Sequence, residues 1–196
     1  MRTRRGFTVV ELVVVMVIMA ILLVLASFSI SQSRANARDT ERRADIEILA
    51  RGLEARYVQG GLNPAVTTKP ANVDKGSYPS TNEMVHILGR VQADFSPTQI
   101  VGGYGPVALP GTTVEAFSPP GETGAYDGFE ISSGSCAVED KTCIAAFITP
   151  DDYYYEPINE SGTRCNSNVV ACVRFNLYWE YETGDTSLQQ YRSRRQ

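Results

Sequence analysis

Gly6-Phe7-Thr8-Val9-Val10-Glu11 runs into residues 12–26, fifteen positions without a charge, a glycine or a proline. From Phe7 to Ile30 the segment holds 24 residues. At about 1.5 Å per residue that is roughly 36 Å of helix, enough to cross a hydrocarbon core about 30 Å thick. Arg2, Arg4 and Arg5 precede it. This basic flank predicts a cytoplasmic N-terminus and an exported remainder; Arg34, Arg38, Arg42 and Arg43, on the far flank, pull the other way.

Glu11 is the one ionisable residue at the start of the apolar run. A carboxylate at the centre of such a segment costs about 2.5–3.5 kcal/mol on insertion scales, and less near an end. Thr8-Val9-Val10-Glu11 fits a capping box, with Thr8 as N-cap and Glu11 reaching back to it. The helix dipole adds about 0.3–1 kcal/mol for an acid in the first turn. The basic start and apolar core also fit an ordinary secretory signal with a small-x-small site at Ser27-Phe28-Ser29. The length of the run and its leading glutamate count against that reading.

These residues resemble the class III signal of type IV prepilins and of the pseudopilins of type II secretion. The resemblance covers about residues 1–57 and is only architectural beyond them. It implies cleavage after Gly6 by prepilin peptidase and methylation of the new amine on Phe7. It implies that Glu11 pairs with the N-terminal amine of a neighbouring subunit during assembly. The chain would be a single-pass protein of the cytoplasmic membrane, with its N-terminus inside. Pilus assembly machinery would then extract it into an extracellular helical homopolymer serving adhesion, twitching motility, DNA uptake or secretion. No catalysis, cofactor or metal is implied for the chain itself. Two residues depart from the pattern. Val9 stands where leucine is usual, and no proline interrupts Ala26-Ser27-Phe28-Ser29-Ile30. A type II secretion pseudopilin or a minor pilin is the nearest alternative. A membrane-anchored extracellular binding domain is the alternative of another class, and it would require neither Gly6 nor Glu11.

Beyond the span the helical pattern continues. Ile46, Leu49, Leu53 and Tyr57 form one apolar stripe, and Arg42, Asp45, Glu47, Arg51 and Glu54 between them suit a solvated face. Gly52 costs a helix about 1 kcal/mol, and Gly60, Gly61 and Pro64 stop it. Eight of the ten prolines and ten of the sixteen glycines fall within residues 60–125, so that stretch is read as an irregular connection. One short helix is expected inside it, capped by Ser80 and Glu83 and ended by Gly89. Strands are predicted over residues 126–132, 142–148, 153–156 and 169–182. In the last, Val173, Phe175, Leu177, Trp179 and Tyr181 alternate with Arg174, Asn176, Tyr178 and Glu180, as in a sheet with one buried face. The organisation is therefore a leader over 1–6, a long helix over 7–57 with its membrane or filament-core part over 7–30, a Gly/Pro-rich region over 58–125, and a disulfide-bearing antiparallel sheet over 126–196. The fold class is α+β, a long helix packed against an antiparallel sheet, the ladle arrangement of pilins.

Cys136, Cys143, Cys165 and Cys172 are even in number, and two six-residue gaps separate them pairwise. Zinc sites usually use closer pairs, which favours disulfides in an oxidising compartment. Three pairings remain open; Cys136–Cys143 with Cys165–Cys172 closes the shortest loops.

The chain carries a net charge of -4, and loss of the first six residues leaves 15 basic against 22 acidic residues, a net of -7. That disfavours nucleic acid as a general partner. The basic tail Arg192, Arg194, Arg195 is the remaining candidate for DNA contact at a filament surface, with a frayed, solvated end as the plainer reading. No metalloprotease, serine-hydrolase or phosphate-loop motif occurs. His86, the sole histidine, sits on the short predicted helix as a surface or satisfied core residue. Asp151 and Asp152 read as a charged turn before they read as a calcium site. Tyr153, Tyr154 and Tyr155 would alternate faces in a strand and expose at least one ring.

Overall fold

The computed structural model describes residues 8–60, 75–89, 108–121, 128–132, 134–166 and 171–195. The short helix, the disulfide loops and the sheet fall within these residues. Much of the Gly/Pro-rich region lies outside them, as do positions 126–127 and 169–170 of two predicted strands. The chain divides into two compact units, Met1–Ala37 and Arg38–Gln196.

Helix α1 spans Val9–Gln59. Its first part is apolar on every side. Sixteen large aliphatic or methionine side chains between Val9 and Ile30 are each at least half exposed. Ser27 and Ser31 donate their hydroxyls back to the carbonyls of Leu23 and Ser27, at 2.9 and 3.3 Å. In the second unit the same helix buries the stripe Ile46, Leu49, Ala50 and Leu53.

Helix α2 (Thr81–Leu88) starts at a reciprocal capping box between Ser80 and Glu83 and ends at Gly89 in the left-handed conformation, φ 68°. It contributes Met84, Val85, Ile87 and Leu88 to the core. A 3-10 turn follows at Glu115–Phe117. The sheet has four strands in the order β1-β2-β3-β4: β1 Phe129–Ile131, β2 Tyr153–Asn159, β3 Cys172–Trp179 and β4 Gln189–Arg192. The α+β class stands, and one edge departs from the antiparallel pattern. β1 runs parallel to β2, with Phe129 opposite Tyr153, whereas β2–β3 and β3–β4 are antiparallel.

Residues 142–148, expected as a strand, instead hold helix α3 (Lys141–Ala145). Asp140 caps it, its carboxylate accepting from the Cys143 N–H at 3.0 Å, and the Cys136–Cys143 bond closes the loop beneath. α3 accounts for a second correction. Phe129, Tyr153, Tyr155, Phe175, Leu177 and Trp179 belong to the core cluster that also holds the α1 stripe and α2. Tyr154 and Tyr178 belong to a second cluster with Cys136, Ile144 and Ile148. Both faces of β3 are thus buried from Phe175 to Trp179. All three consecutive tyrosines are buried too, so the expected exposed ring is absent. β4 has little strand signal of its own, because Gln189 and Gln190 carry little strand preference; pairing with β3 supplies it.

The second disulfide, Cys165–Cys172, lies in the main core. The carbonyl of Cys172 accepts from the Tyr78 N–H and that of Cys165 from the Thr81 N–H, at 2.8 and 2.9 Å. This loop therefore holds the start of α2.

Candidate processing and assembly site

Gly6 and Phe7, the expected cleavage and methylation positions, lie outside the described residues. Thr8 and Glu11 do not. The Thr8 N–H and its hydroxyl both donate to Glu11 Oε2, at 2.9 and 3.0 Å, and the Glu11 N–H donates to Thr8 Oγ1 at 3.2 Å. This is a reciprocal cap on the first turn of α1. Both Thr8 contacts fall on one carboxylate oxygen. An ionised carboxylate has about four acceptor positions, so the cap leaves Glu11 able to accept from a further donor.

A second group of charges holds α1 within the 38–196 unit. Arg42 is fully buried. It donates to Asp39 Oδ1 at 2.9 Å, to Glu182 Oε1 at 2.5 Å and to Asp151 Oδ1 at 3.2 Å. Arg38 donates to both Glu182 oxygens, through Nε at 2.7 Å and through Nη2 in a short bond. Asp39 in turn accepts from the Glu182 N–H, the Thr183 N–H and the Thr183 hydroxyl, at 2.8, 2.9 and 2.5 Å. Arg38, seconded by Arg42 and opposed by burial, holds the Glu182 carboxyl down at about 2. Asp39 also stays below the usual range: burial acts to raise it, and the Thr183 and Glu182 donors outweigh that.

One turn on, burial pushes Asp45 up to about 6, only partly offset by the Tyr153 hydroxyl that donates to it at 3.0 Å. Near the end of α1, buried Arg56 donates to the Ala108 carbonyl at 3.1 Å and lies 3.5 Å from Glu83. Glu54 gathers the Tyr78 hydroxyl and the Arg194 N–H, both at 2.9 Å, with Arg195 at 3.9 Å. Arg195 also lies over the Tyr57 ring, 4.2 Å from its centroid. The C-terminal tail through Arg195 is therefore docked on α1 rather than frayed.

Sequence reasoning read Arg42, Asp45 and Glu54 as a solvated face. Arg42 and Asp45 are buried, and Glu54 is partly so. A signal was available: Arg42, Leu49 and Arg56 are seven residues apart, so they share the apolar stripe itself. Asp151 bonds Arg42, and Asp152 accepts from the Thr149 N–H and hydroxyl, both at 2.8 Å. Among the described residues no three His, Cys, Asp or Glu side chains are grouped to hold a metal. His86 is half-buried, and burial lowers its pKa.

Residues 1–27 match the family model of the prokaryotic N-terminal methylation motif. The match spans the basic leader, the Gly6–Phe7 junction, Glu11 and the apolar run. No curated protein and no solved structure matches the chain.

Proposed function

We propose that this chain is the structural subunit of a type IV pilus-like extracellular filament. It inserts in the cytoplasmic membrane with its N-terminus inside. Prepilin peptidase trims it after Gly6 and methylates Phe7, and the assembly machinery then draws it into a helical polymer. One observation carries the reading: a methylation motif that continues into a helix whose apolar side chains are uncovered on all sides. Full burial of one such side chain is worth about 1.5–3 kcal/mol. Sixteen of them, already half covered by the helix itself, still represent on the order of 20 kcal/mol. Lipid supplies that burial before assembly, and the helices of neighbouring copies supply it afterwards.

Glu11 fits this role. Trimming would leave a cationic Phe7 amine at the tip of the apolar rod. A carboxylate about 4 Å from such an amine gains about 4 kcal/mol at an effective dielectric of 20. The Thr8 cap engages one oxygen of Glu11 and leaves the other for a neighbour's amine. The 38–196 unit, with two disulfides, suits an oxidising exterior. Repetition of one head-to-tail contact that does not close gives an open fibre. In this reading the subunit performs no catalysis, and cleavage and energy come from partner enzymes.

Intact mass and N-terminal sequencing of the protein sheared from its native cell surface test the proposal. The expected chain begins at N-methylated Phe7. A chain beginning near Ser29, or still at Met1, overturns it.

A further inference from the structure

Within the 38–196 unit a groove of about 640 Å³ separates α1 from the end of the sheet. Its volume falls in the range of ligand sites. One wall is α1, with Arg43, Glu47 and Arg51 in a row one turn apart. The other is the sheet, with Trp179 and with Tyr191 of β4, and Arg194 lies just beyond. Arg43 is 3.6 Å from Glu47, which neutralises one cation. Arg51 and Arg194 remain as net positive charge in a chain that is acidic overall.

Three observations narrow what this groove takes. First, among the described residues β4 is the last strand of the sheet, and an edge strand presents backbone donors and acceptors to a further strand. Second, Gln189 and Tyr191 are the β4 residues that line the groove. Side chains alternate along a strand, so a strand added to β4 would send every second side chain into this space. Third, the Trp179 indole N–H is buried and has no partner among the described residues. Its ring is almost covered, while Tyr181 and Tyr191 are only half-buried. The apolar surface that the groove offers therefore comes chiefly from the half-exposed rings of Tyr181 and Tyr191.

We infer that this groove binds an extended acidic peptide, which adds as a strand beside β4 and directs alternate acidic and apolar side chains towards Arg51, Arg194 and the tyrosines. An edge strand beside a helix is a recurring geometry for strand addition, in which main-chain bonds give affinity and alternate side chains give specificity. β4 is four residues long, or about 13 Å at about 3.3 Å per residue, which sets the length of the bound core. The inference does not depend on the filament reading, since it concerns the 38–196 unit alone.

Trp179 is the only tryptophan, so its fluorescence reports on the groove in the full chain held in detergent micelles. The probe is the blocked peptide Ser-Glu-Ser-Ile-Ser-Glu-Ser, whose alternate positions present Glu, Ile and Glu to one face. Saturable change is expected below about 1 mM at low salt. The same peptide with Lys for Glu should bind at least tenfold more weakly. The isomer Ser-Ser-Glu-Ile-Glu-Ser-Ser, with equal charge but both faces used, should lose at least fivefold. Arg51→Glu and Arg194→Glu, both at exposed positions, should each weaken the acidic peptide at least fivefold. Amide exchange over β4 should slow on binding. Equal affinity for the two isomers overturns strand addition. No response up to 2 mM, or tighter binding of a twelve-residue oligothymidylate than of the peptide, overturns the assignment of the groove.

Discussion

Helix α1 contains two regions of opposite grammar. Over residues 9–30 nearly every side is apolar, and its large side chains are at least half exposed. Over residues 38–59 a narrow apolar stripe and three buried charged residues pack inside the second unit, and the other positions range from half-buried to exposed, Gly52 excepted. A helix that is hydrophobic all round is completed by surroundings outside itself. A helix with one stripe is completed by its own domain. In one continuous element, the first grammar serves, in the proposed reading, association with lipid or with copies, and the second encodes folding.

Two substitutions at the N-terminal end break the comparison most severely. Gly6→Val should abolish trimming, because the peptidase must approach the backbone closely at the cut. The precursor should keep its leader by intact mass while the 38–196 unit melts as before. Normal trimming of this variant would remove the peptidase from the account. Glu11→Gln is the finer probe. Glutamine serves a capping box as well as glutamate does, so the bonds to Thr8 persist while the charge is lost. Filament yield should fall at least tenfold with membrane insertion unchanged. Full yield would reduce Glu11 to a helix cap.

In the folded half of α1 the largest expected effect is at Arg42. Removing one partner of a buried ion network typically costs about 3–5 kcal/mol, since the remaining charges are left uncompensated. Arg42→Ala removes the buried cation that joins Asp39, Asp151 and Glu182, leaving Glu182 to Arg38 and Asp39 to its Glu182 and Thr183 donors. Urea unfolding followed at Trp179 should show a loss of that size, with insertion of residues 9–30 untouched. A loss below about 1 kcal/mol would mean that water serves these carboxylates as well as the arginine does.

The two regions also differ in how far their contacts can be foreseen. The Thr8–Glu11 and Ser80–Glu83 caps are three-residue relations, written in the local spelling and found in the structure. The apolar span is legible for the same reason. Arg42 finds two of its three carboxylate partners 109 and 140 residues away, so local periodicity gives only that it shares a face with Leu49. The fate of Tyr154 was hidden likewise. Its ring is covered by the Cys136–Cys143 segment and α3, and beside it buried Glu156 accepts from the Asn176 amide and the Tyr178 hydroxyl, both at 3.0 Å. Alternation in β3 disclosed one buried face; nothing short-range announced that a capped five-residue helix would cover the other.

Charge within the folded half has its own pH signature, with two windows of opposite sign. Asp45 has a folded value of about 6 against an ordinary 3.8. Above pH 6 it is ionised in both states, and the fold bears a penalty of roughly 3 kcal/mol. That penalty fades as pH falls from 6 to about 4. Glu182, held at about 2 against an ordinary 4.5, works the other way: its contribution is full above pH 4.5 and is lost as pH falls towards 2. Stability should therefore peak between pH 4 and 5. Asp45→Asn keeps an acceptor for the Tyr153 hydroxyl and removes the charge. It should stabilise the protein by roughly 2–3 kcal/mol at pH 8 and by almost nothing at pH 4. Equal gains at both pH values would place the effect in packing instead of ionisation.

The smallest effect tests why the folded half of α1 tolerates its one glycine. Gly52 gives up about 1 kcal/mol of helix preference relative to alanine, and residues 9–30 contain no such residue. A Cβ at position 52 would stand 2.3 Å from Thr112 Cγ2. Thr112 is buried, and its hydroxyl donates to the Leu109 carbonyl at 2.7 Å, so its methyl has little freedom to retreat. The glycine therefore lets the 109–112 turn sit directly on the helix. Gly52→Ala alone should destabilise by about 1 kcal/mol, because overpacking at about 1–3 kcal/mol exceeds the helical gain. Thr112→Ser keeps the hydroxyl and deletes the methyl. In that background the same Gly52→Ala change meets Leu109 Cβ and the Pro110 carbonyl at an ordinary 3.5 Å, and its sign should reverse to a gain of about 0.5–1 kcal/mol. A double-mutant cycle in urea reads this coupling directly. Additive effects would show that the turn moves away freely and that Gly52 is not held by packing.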